Sequence, residues 1–469
     1  MANARVTHED GRVAEANSTA IGTTPGQVGI IGGGMAGLTA ALRLAQAGHA
    51  VTLWERGQRL GGQAAAFPVA GTYLELFYHH LFQSDEAITA LAAEVGVGDN
   101  LVWLPSNVGY FSEGKIWPLN GALDLLKLGF IPLHDRVRLG LVTAYLQRVR
   151  KWERFEHVTA DRWLRRALGQ NAYDKTLGAQ LKAKFGSYYD QVAMVWFWGK
   201  IWLRTTSRRS PLDQEKLGYF RGSFNVIIDA LAVACRAAGV DIVTGSGPSE
   251  VRVAAGGGVE LVFDDRVERR DTVIATVPSS VFLRLAPSIT GAYRDTLSKL
   301  TYEAAAVAIL QMDRALTDIY WLNIADPDIP FTGVIEHTNF VGPEHYGGAH
   351  FLYLSKYMEP DHPYFALSDE ALVAEYLPFL KRINPDFDES WVQAWWVFRE
   401  RAAQPIVMLD HRKSIPAHQT PIPGLYLANT TQIYPEDRGT NYSVRLGNDI
   451  AEVIGDDLSS GRPWPKPAS

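Results

Sequence analysis

The sequence predicts an α/β chain in which a parallel-sheet βαβ domain is interrupted by a mixed-sheet domain with a helical insert. Three observations carry that expectation. A strand, a glycine turn, a helix and a second strand follow one another over residues 27–55. A strand, a polar loop and another helix occupy residues 423–447, and the stretch between is aromatic and, from 123 to 202, mostly helical. At 469 residues, 47% hydrophobic and 20% charged, the chain is long enough for two or three cored domains.

The first element is the apolar strand Gln27-Val-Gly-Ile-Ile31, which runs into Gly32-Gly-Gly-Met-Ala-Gly37 and a helix rich in Ala and Leu from Leu38 to Gln46. Gly48 sits where a helix ends, and Val51-Thr-Leu-Trp-Glu55 makes the second strand. In such a Rossmann-like βαβ unit each residue has a task. Gly32 permits the tight turn, Gly34 lets the backbone approach a pyrophosphate, and Gly37 lets helix and strand pack closely. The helix N-terminus at Met35 and Ala36 turns free N–H groups toward phosphate, and Glu55 can accept from a ribose diol.

Beyond Glu55 the chain continues Arg56-Gly-Gln-Arg-Leu-Gly61-Gly62-Gln63. A Gly pair just past the ribose acid resembles flavoproteins of the glutathione-reductase-like superfamily. The whole pattern resembles the flavin-containing amine oxidase superfamily, which includes protoporphyrinogen oxidase and phytoene desaturase. The resemblance implies FAD as cofactor, held by residues 32–37, Glu55, Arg56 and the Gly61-Gly62-Gln63 loop. The family commonly has Arg or Lys where this chain has Gln63, so that contact is weaker here or comes from Arg56 or Arg59.

Later segments extend the likeness. Gly218-Tyr-Phe-Arg-Gly-Ser-Phe224 leads into a helix from Asn225 to Ala238, then the strand Asp241–Thr244. The family places a backbone contact to adenine at Val251, and Ala254-Ala-Gly-Gly-Gly258 reads as a hairpin loop. Asp271–Pro278 resembles the strand that returns over the nucleotide. Pro423–Ala428 is a strand, and the loop from Asn429 and Thr430 to Gly439, Thr440 and Asn441 enters a helix where the family holds ribityl, phosphate and pyrimidine edge. The usual Ala-Gly-Asp is Ala428-Asn429-Thr430 here. Glu436, Asp437 and Arg438 are either a solvated charge cluster or flavin neighbours. The implied FAD-binding domain is discontinuous, over 26–85, 215–288 and 415–458. The substrate domain covers 86–122 and 289–414, the helical insert 123–214, and a disordered tail 1–25.

On the substrate side, Tyr73–Phe82 runs where the family passes its chain by the flavin ring. His79 and His80 are adjacent, so in extended chain they point to opposite sides and only one can face a ligand. Leu101–Pro105 and Val108–Pro118 read as a hairpin. Asp135 can cap a helix running to Trp152. At about 100° per residue, its cations Arg136, Arg138, Arg148, Arg150 and Lys151 do not share one face. Peripheral membrane contact, known for the helical insert of protoporphyrinogen oxidases, therefore stands beside an ordinary helical subdomain. Residues 183–190 and 194–204 are the most aromatic part of the chain, with Lys184, Tyr188 and Arg204 as cavity candidates. Trp391, Trp395 and Val397 share one face of a strand, read as sheet core first and cavity wall second.

A formal net charge of −6 argues against a nucleic-acid partner. The single cysteine, Cys235, excludes an intrachain disulfide and a Cys-rich metal site, and fits a reducing compartment. No stretch of 18 uncharged apolar residues occurs, which points to a cytoplasmic protein, soluble or peripherally attached. No metal spacing, Ser/His/Asp set or second nicotinamide-type glycine motif is present. The flavin is then the expected catalyst, removing hydride from a largely apolar, isoprenoid- or porphyrinogen-like molecule. Flavin amine oxidation, redox-neutral chemistry resembling UDP-galactopyranose mutase, and non-catalytic flavin binding stay open. They differ in ligand polarity: apolar, cationic or polyanionic.

Overall fold

The computed structural model describes residues 26–206, 214–460 and 464; the expected tail over 1–25 lies outside them. One sheet is parallel throughout. Its order is Leu425–Leu427, Thr272–Ala275, Gln27–Ile31 (β1), Ala50–Glu55 (β2) and Asp241–Thr244. β1 lies at its centre with Val28–Ile31 buried, as a strand covered on both faces requires. The helices Met35–Gln46 (α1), Asn225–Ala237 and Thr440–Ser460 share one core with this sheet. α1 and Thr440–Ser460 cross at Gly447, where a Cβ would stand 2.6 Å from the Ala36 carbonyl oxygen. Cys235 is buried against α1, its thiol directed at the Leu38 carbonyl at 3.3 Å.

A three-stranded antiparallel sheet, Glu250–Val253, Val259–Val262 and Val267–Arg270, joins a second core around Trp54, with residues 254–258 as its first turn. The larger sheet has seven strands. Their order is Val392–Pro405, Tyr302–Met312, His350–Met358, Gly333–Glu336, Trp321–Ile324, Val108–Ser112 and Lys115–Pro118. Only Trp321–Ile324 and Val108–Ser112 pair parallel, so the sheet is mixed. Period-two alternation sorts its aromatics. Trp391, Trp395 and Val397 pack into the core that includes helix Asp369–Ile383, whereas Trp396 and Phe398 each lie 5.2 Å from Phe67 in the core shared with the parallel sheet.

Two local expectations are corrected. Leu101–Pro105 does not form a hairpin with Val108–Pro118; it pairs antiparallel with Lys216–Phe220, and the hairpin is Val108–Ser112 with Lys115–Pro118 alone. The helix around Asp135 spans only Leu133–Leu146, entered through Pro132. Asp135 lies in its first turn rather than capping it, because its buried carboxylate accepts from Asn171 Nδ2 at 2.7 Å. Arg148, Arg150 and Lys151 fall beyond the helix, so the five cations do not form one helical face. Helices between 122 and 206 enclose a core of their own, joined by Ile406 and Val407. Among the described residues no helix is long and apolar enough to cross a membrane.

Candidate active site

Two glycine turns pinch together at the end of β1. Gly34 forms a parallel bridge with Gly61, and the Gly61 N–H donates to the Gly33 carbonyl at 2.8 Å. Gly61 has φ +102°, and a Cβ there would sit 2.5 Å from Ile228 Cδ1, so no other residue fits without strain. A Cβ on Gly37 would come within 2.0 Å of the Gly32 carbonyl oxygen, which is the close helix–strand packing its position demands. Gly34 differs from both. It has φ −74°, and a Cβ on it would meet only Gly62 Cα, at 3.8 Å. The protein itself leaves this space open.

The open space lies at a helix N-terminus with unused donors. α1 has neither a side-chain cap nor an acidic residue in its first turn, and its first helical bond is Leu38 N–H to Gly34. The preceding N–H groups are therefore available to an anion. Thr440–Ser460 also has no acidic residue in its first turn. The Glu55 carboxylate accepts from the Gly33 and Gly57 N–H groups at 2.8 and 2.7 Å, which fixes it at the rim. The unobstructed Gly34, free helix N–H groups and a rim carboxylate fit a dinucleotide.

Other sequence candidates have prior commitments. Gln63 donates to the Ala402 carbonyl at 3.0 Å, tying the glycine loop to the large sheet. Asn441 accepts from the Ile88 N–H at 3.1 Å. Asn429 is buried, and both ends of its carboxamide are used: Nδ2 donates to Val277 and Ser279, while Oδ1 accepts from the backbone and hydroxyl of Thr431. Thr430 begins the short turn that Asn429 caps. Arg56 is exposed beside Gly247, and Val251 is buried on the edge strand of the three-stranded sheet.

The second part of the site collects side chains from three places. Tyr78 follows the glycine loop in sequence; its hydroxyl lies 3.3 Å from Ser355 Oγ and 3.5 Å from the Tyr357 hydroxyl. Arg438, just before helix Thr440–Ser460, donates from Nη2 to the Tyr357 hydroxyl at 3.1 Å. From the helical insert, Lys184 Nζ stands 3.8 Å over the Tyr357 ring. Asp437 accepts from Trp196 Nε1 at 3.2 Å and Gln404 Nε2 at 3.0 Å, and pairs with Lys200. Tyr78, Tyr357, Lys200 and Arg438 lie deep among other groups yet keep partial solvent access, the combination a cleft produces.

Electrostatics there are strongly perturbed. Burial pushes the Tyr357 phenol up, but Lys184, Arg438, Tyr78 and Lys200 together pull it below its ordinary value, to about 8. Glu303 is buried, neither of its carboxyl oxygens has a partner, and burial raises it to about 8. Burial lowers His79 to about 4 and His80 to about 3, so both are neutral at physiological pH. His79 Nδ1 lies 2.6 Å from the Phe77 carbonyl, and its ring packs near Phe224; His80 Nδ1 lies 3.0 Å from the Tyr320 hydroxyl on another side. Tyr188 packs into the insert core, and Arg204 pairs with Glu215 at 3.4 Å. Sequence reasoning did not single out Tyr78, Lys200, Glu303 or Tyr357. Among the described residues no group of three or more His, Cys, Asp or Glu is placed to hold a metal.

The fold joins a parallel-sheet unit that carries the glycine pinch to a separate mixed sheet. Residues 35–435 match the model of the family described as flavin containing amine oxidoreductase, and the chain belongs to that family. It is a flavoprotein with FAD as cofactor, in a family of oxidoreductases. Among similar proteins, 15-cis-phytoene desaturase of Solanum lycopersicum is 32% identical over 161 residues, 31% of this chain and 28% of that one. A provisionally named flavin-containing monoamine oxidase, AofH, of Mycobacterium tuberculosis is 26% identical over 175 residues, 35% of this chain and 38% of that one. The match thus spans about a third of these relatives' length. Solved folds match throughout. A provisionally named protoporphyrinogen oxidase from Exiguobacterium sp. 255-15 has TM-score 0.74 at 18% identity, covering 92% of this chain and 99% of that one. Reduced UDP-galactopyranose mutase has TM-score 0.71 at 16% identity, covering 93% and 96%.

Proposed function

We propose that the parallel-sheet unit is a glutathione-reductase-like dinucleotide domain and that the chain dehydrogenates a largely apolar, isoprenoid- or porphyrinogen-like substrate. Residues 32–37, 61–62 and 439–441 would hold FAD, with Glu55 on its ribose. Bound there, FAD supplies an acceptor for a carbon-bound hydride. One observation carries this reading. The segment after the glycine loop and the segment before helix Thr440–Ser460, far apart in sequence, meet at Tyr357 through Tyr78 and Arg438. The residues there position substrate against an aromatic wall of Tyr78 and Trp321, backed by the buried Tyr353, and exclude water. In this cleft Tyr357 and Glu303 each hold a proton that titrates at about 8, on the phenol oxygen and the carboxyl.

Lys184, Lys200 and Arg438 disfavour a cationic amine. The same cations support a second reading, redox-neutral chemistry on a diphosphate sugar. Anaerobic mixing of the FAD-loaded protein with a polyene, a porphyrinogen, a primary amine and a UDP-sugar separates these readings. Bleaching of the flavin by the polyene or porphyrinogen alone is the expected result. Bleaching by the amine alone, or turnover of the UDP-sugar only after prior reduction, would replace it.

We also infer that the insert touches a membrane surface. Leu133, Val137, Leu141 and Tyr145, spaced four apart on one helix, are 61%, 46%, 67% and 40% exposed, and Leu123 and Leu126 extend the apolar patch. Between residues 120 and 151, Lys127, Arg136, Arg138, Arg148, Arg150 and Lys151 face two carboxylates, Asp124 and Asp135, in a chain of net charge −6. An apolar stripe with a cationic surround suits an anionic lipid surface.

A further inference from the structure

We propose that Lys184, Arg438 and Tyr357 form a site for an oxyanion, a carboxylate or a phosphate, carried at one end of the otherwise apolar substrate. The proposal rests on the substrate reading above and specifies which end of the molecule enters which part of the cleft.

The charges in the cleft do not balance. Lys200 is matched by Asp437 through Oδ2, and Asp437 Oδ1 takes the Trp196 and Gln404 N–H groups. Lys184 and Arg438 have no carboxylate within ion-pair distance among the described residues. Among the described residues Lys184 is met by rings, Tyr357 at 3.8 Å, Trp196 at 5.5 Å and Phe185 at 5.7 Å. Arg438 donates to Tyr357, and its buried Nε has no hydrogen-bond partner among the described residues. Glu303 stays largely protonated at neutral pH, and Glu359, partly exposed, is taken by the Ser187 N–H at 2.9 Å. Of the three cations, only Lys200 thus has a carboxylate within ion-pair distance among the described residues.

Uncompensated interior charge is expensive, and a structure keeps it where a ligand completes it. The donors left over are an ammonium, a guanidinium edge and a phenol, which suit an oxyanion's lone pairs. The surrounding Phe185, Trp196, Tyr78 and Trp321 offer nothing to a second charge, so the rest of the ligand is apolar. FAD phosphates are provided for elsewhere, by the N-termini of α1 and Thr440–Ser460 on the parallel-sheet side. The site is built instead from the large sheet, the helical insert and the loop that joins them to that helix.

Charge linkage gives the site a second signature. Tyr357 is faced by Tyr78 from the loop after Glu75, by Ser355 on its own strand, by Lys184 and Lys200 from the insert, and by Arg438. Ionisation of Tyr357 or Glu303 adds a competing negative charge, so oxyanion affinity falls as pH rises through about 8.

The test is calorimetric titration of the FAD-loaded protein, its flavin content read from absorbance, with decanoate, decyl phosphate and decanol at pH 7. Both anions are expected to bind at least about tenfold tighter than decanol, the 1.4 kcal/mol scale of one well-made charged contact. Lys184→Gln and Arg438→Gln should each remove most of that preference and leave decanol affinity unchanged. A stronger response to decyl phosphate identifies a phosphate head, and to decanoate a carboxylate. Tyr357→Phe with Glu303→Gln should abolish the decline above pH 8 and serves if a cation variant fails to fold. Equal binding of anions and decanol, or a preference that survives both single substitutions, overturns the site. A preparation without flavin would instead defeat the cofactor-site reading, while the anion preference still decides this one.

Discussion

Glu303 gives the sharpest stability prediction. Its carboxyl lies in the large sheet opposite Gln404, 2% exposed, with both oxygens unpartnered. Burial raises it from an ordinary 4.5 to about 8 in the folded chain. The folded value lies above the unfolded one, so folding binds the proton. The associated stability is complete below about pH 4.5 and is lost as pH rises to about 8. At 1.36 kcal/mol per pH unit the whole effect is on the order of 5 kcal/mol. Glu303→Gln keeps the shape and removes the titration. Thermal denaturation of both proteins, followed by circular dichroism from pH 4 to 9, should show equal midpoints at pH 4. The variant should gain steadily between pH 5 and 8 and hold a plateau above. A difference independent of pH, or a variant less stable than its parent at pH 8, would refute the assignment of Glu303 as a buried, proton-holding acid.

Gly37→Ala forces a methyl to within 2.0 Å of a backbone carbonyl and should cost about 3 kcal/mol or more, or prevent folding, in the same denaturation assay. Tyr357 should ionise near pH 8 as a tyrosinate absorbance step in the ultraviolet. Lys184→Gln should move that step upward and Tyr357→Phe should delete it. Leu141→Asp should abolish flotation with vesicles containing anionic lipid, a cost of roughly 2–3 kcal/mol for the lost apolar contact, while leaving the denaturation midpoint unchanged. Flotation that persists in the variant, or is equal on neutral vesicles, removes the membrane inference.

What the sequence made legible was local. Strand, glycine turn and helix at 27–46 follow from contiguous residues, and so does the loop entering helix Thr440–Ser460, because caps and turns are set by near neighbours. Asp135 shows the limit of such signals: a residue of capping type serves a buried bond to Asn171, 36 positions away. The polar cleft was mostly hidden. Tyr357 and Glu303 meet the rest only through the register of Tyr302–Met312 against its two neighbours, and Lys184 and Lys200 arrive from a separate helical core. Asp437 and Arg438 read from the sequence either as solvated charge or as flavin neighbours, because their partners Trp196, Lys200, Gln404 and Tyr357 come from the insert and the large sheet.

The most direct test of the central claim is FAD binding by the wild-type chain and by Gly34→Ala. The added methyl meets no protein atom closer than 3.8 Å and suits φ −74°, so the variant should fold with an unchanged or slightly higher midpoint. If it displaces the pyrophosphate from one or two N–H groups at about 1.5–3 kcal/mol each, FAD affinity falls by roughly 10- to 10⁴-fold. The wild-type protein should be yellow with one FAD per chain, and the variant folded but weakly binding. A folded wild-type chain that takes up no FAD, or a variant that binds it equally well, would contradict that claim.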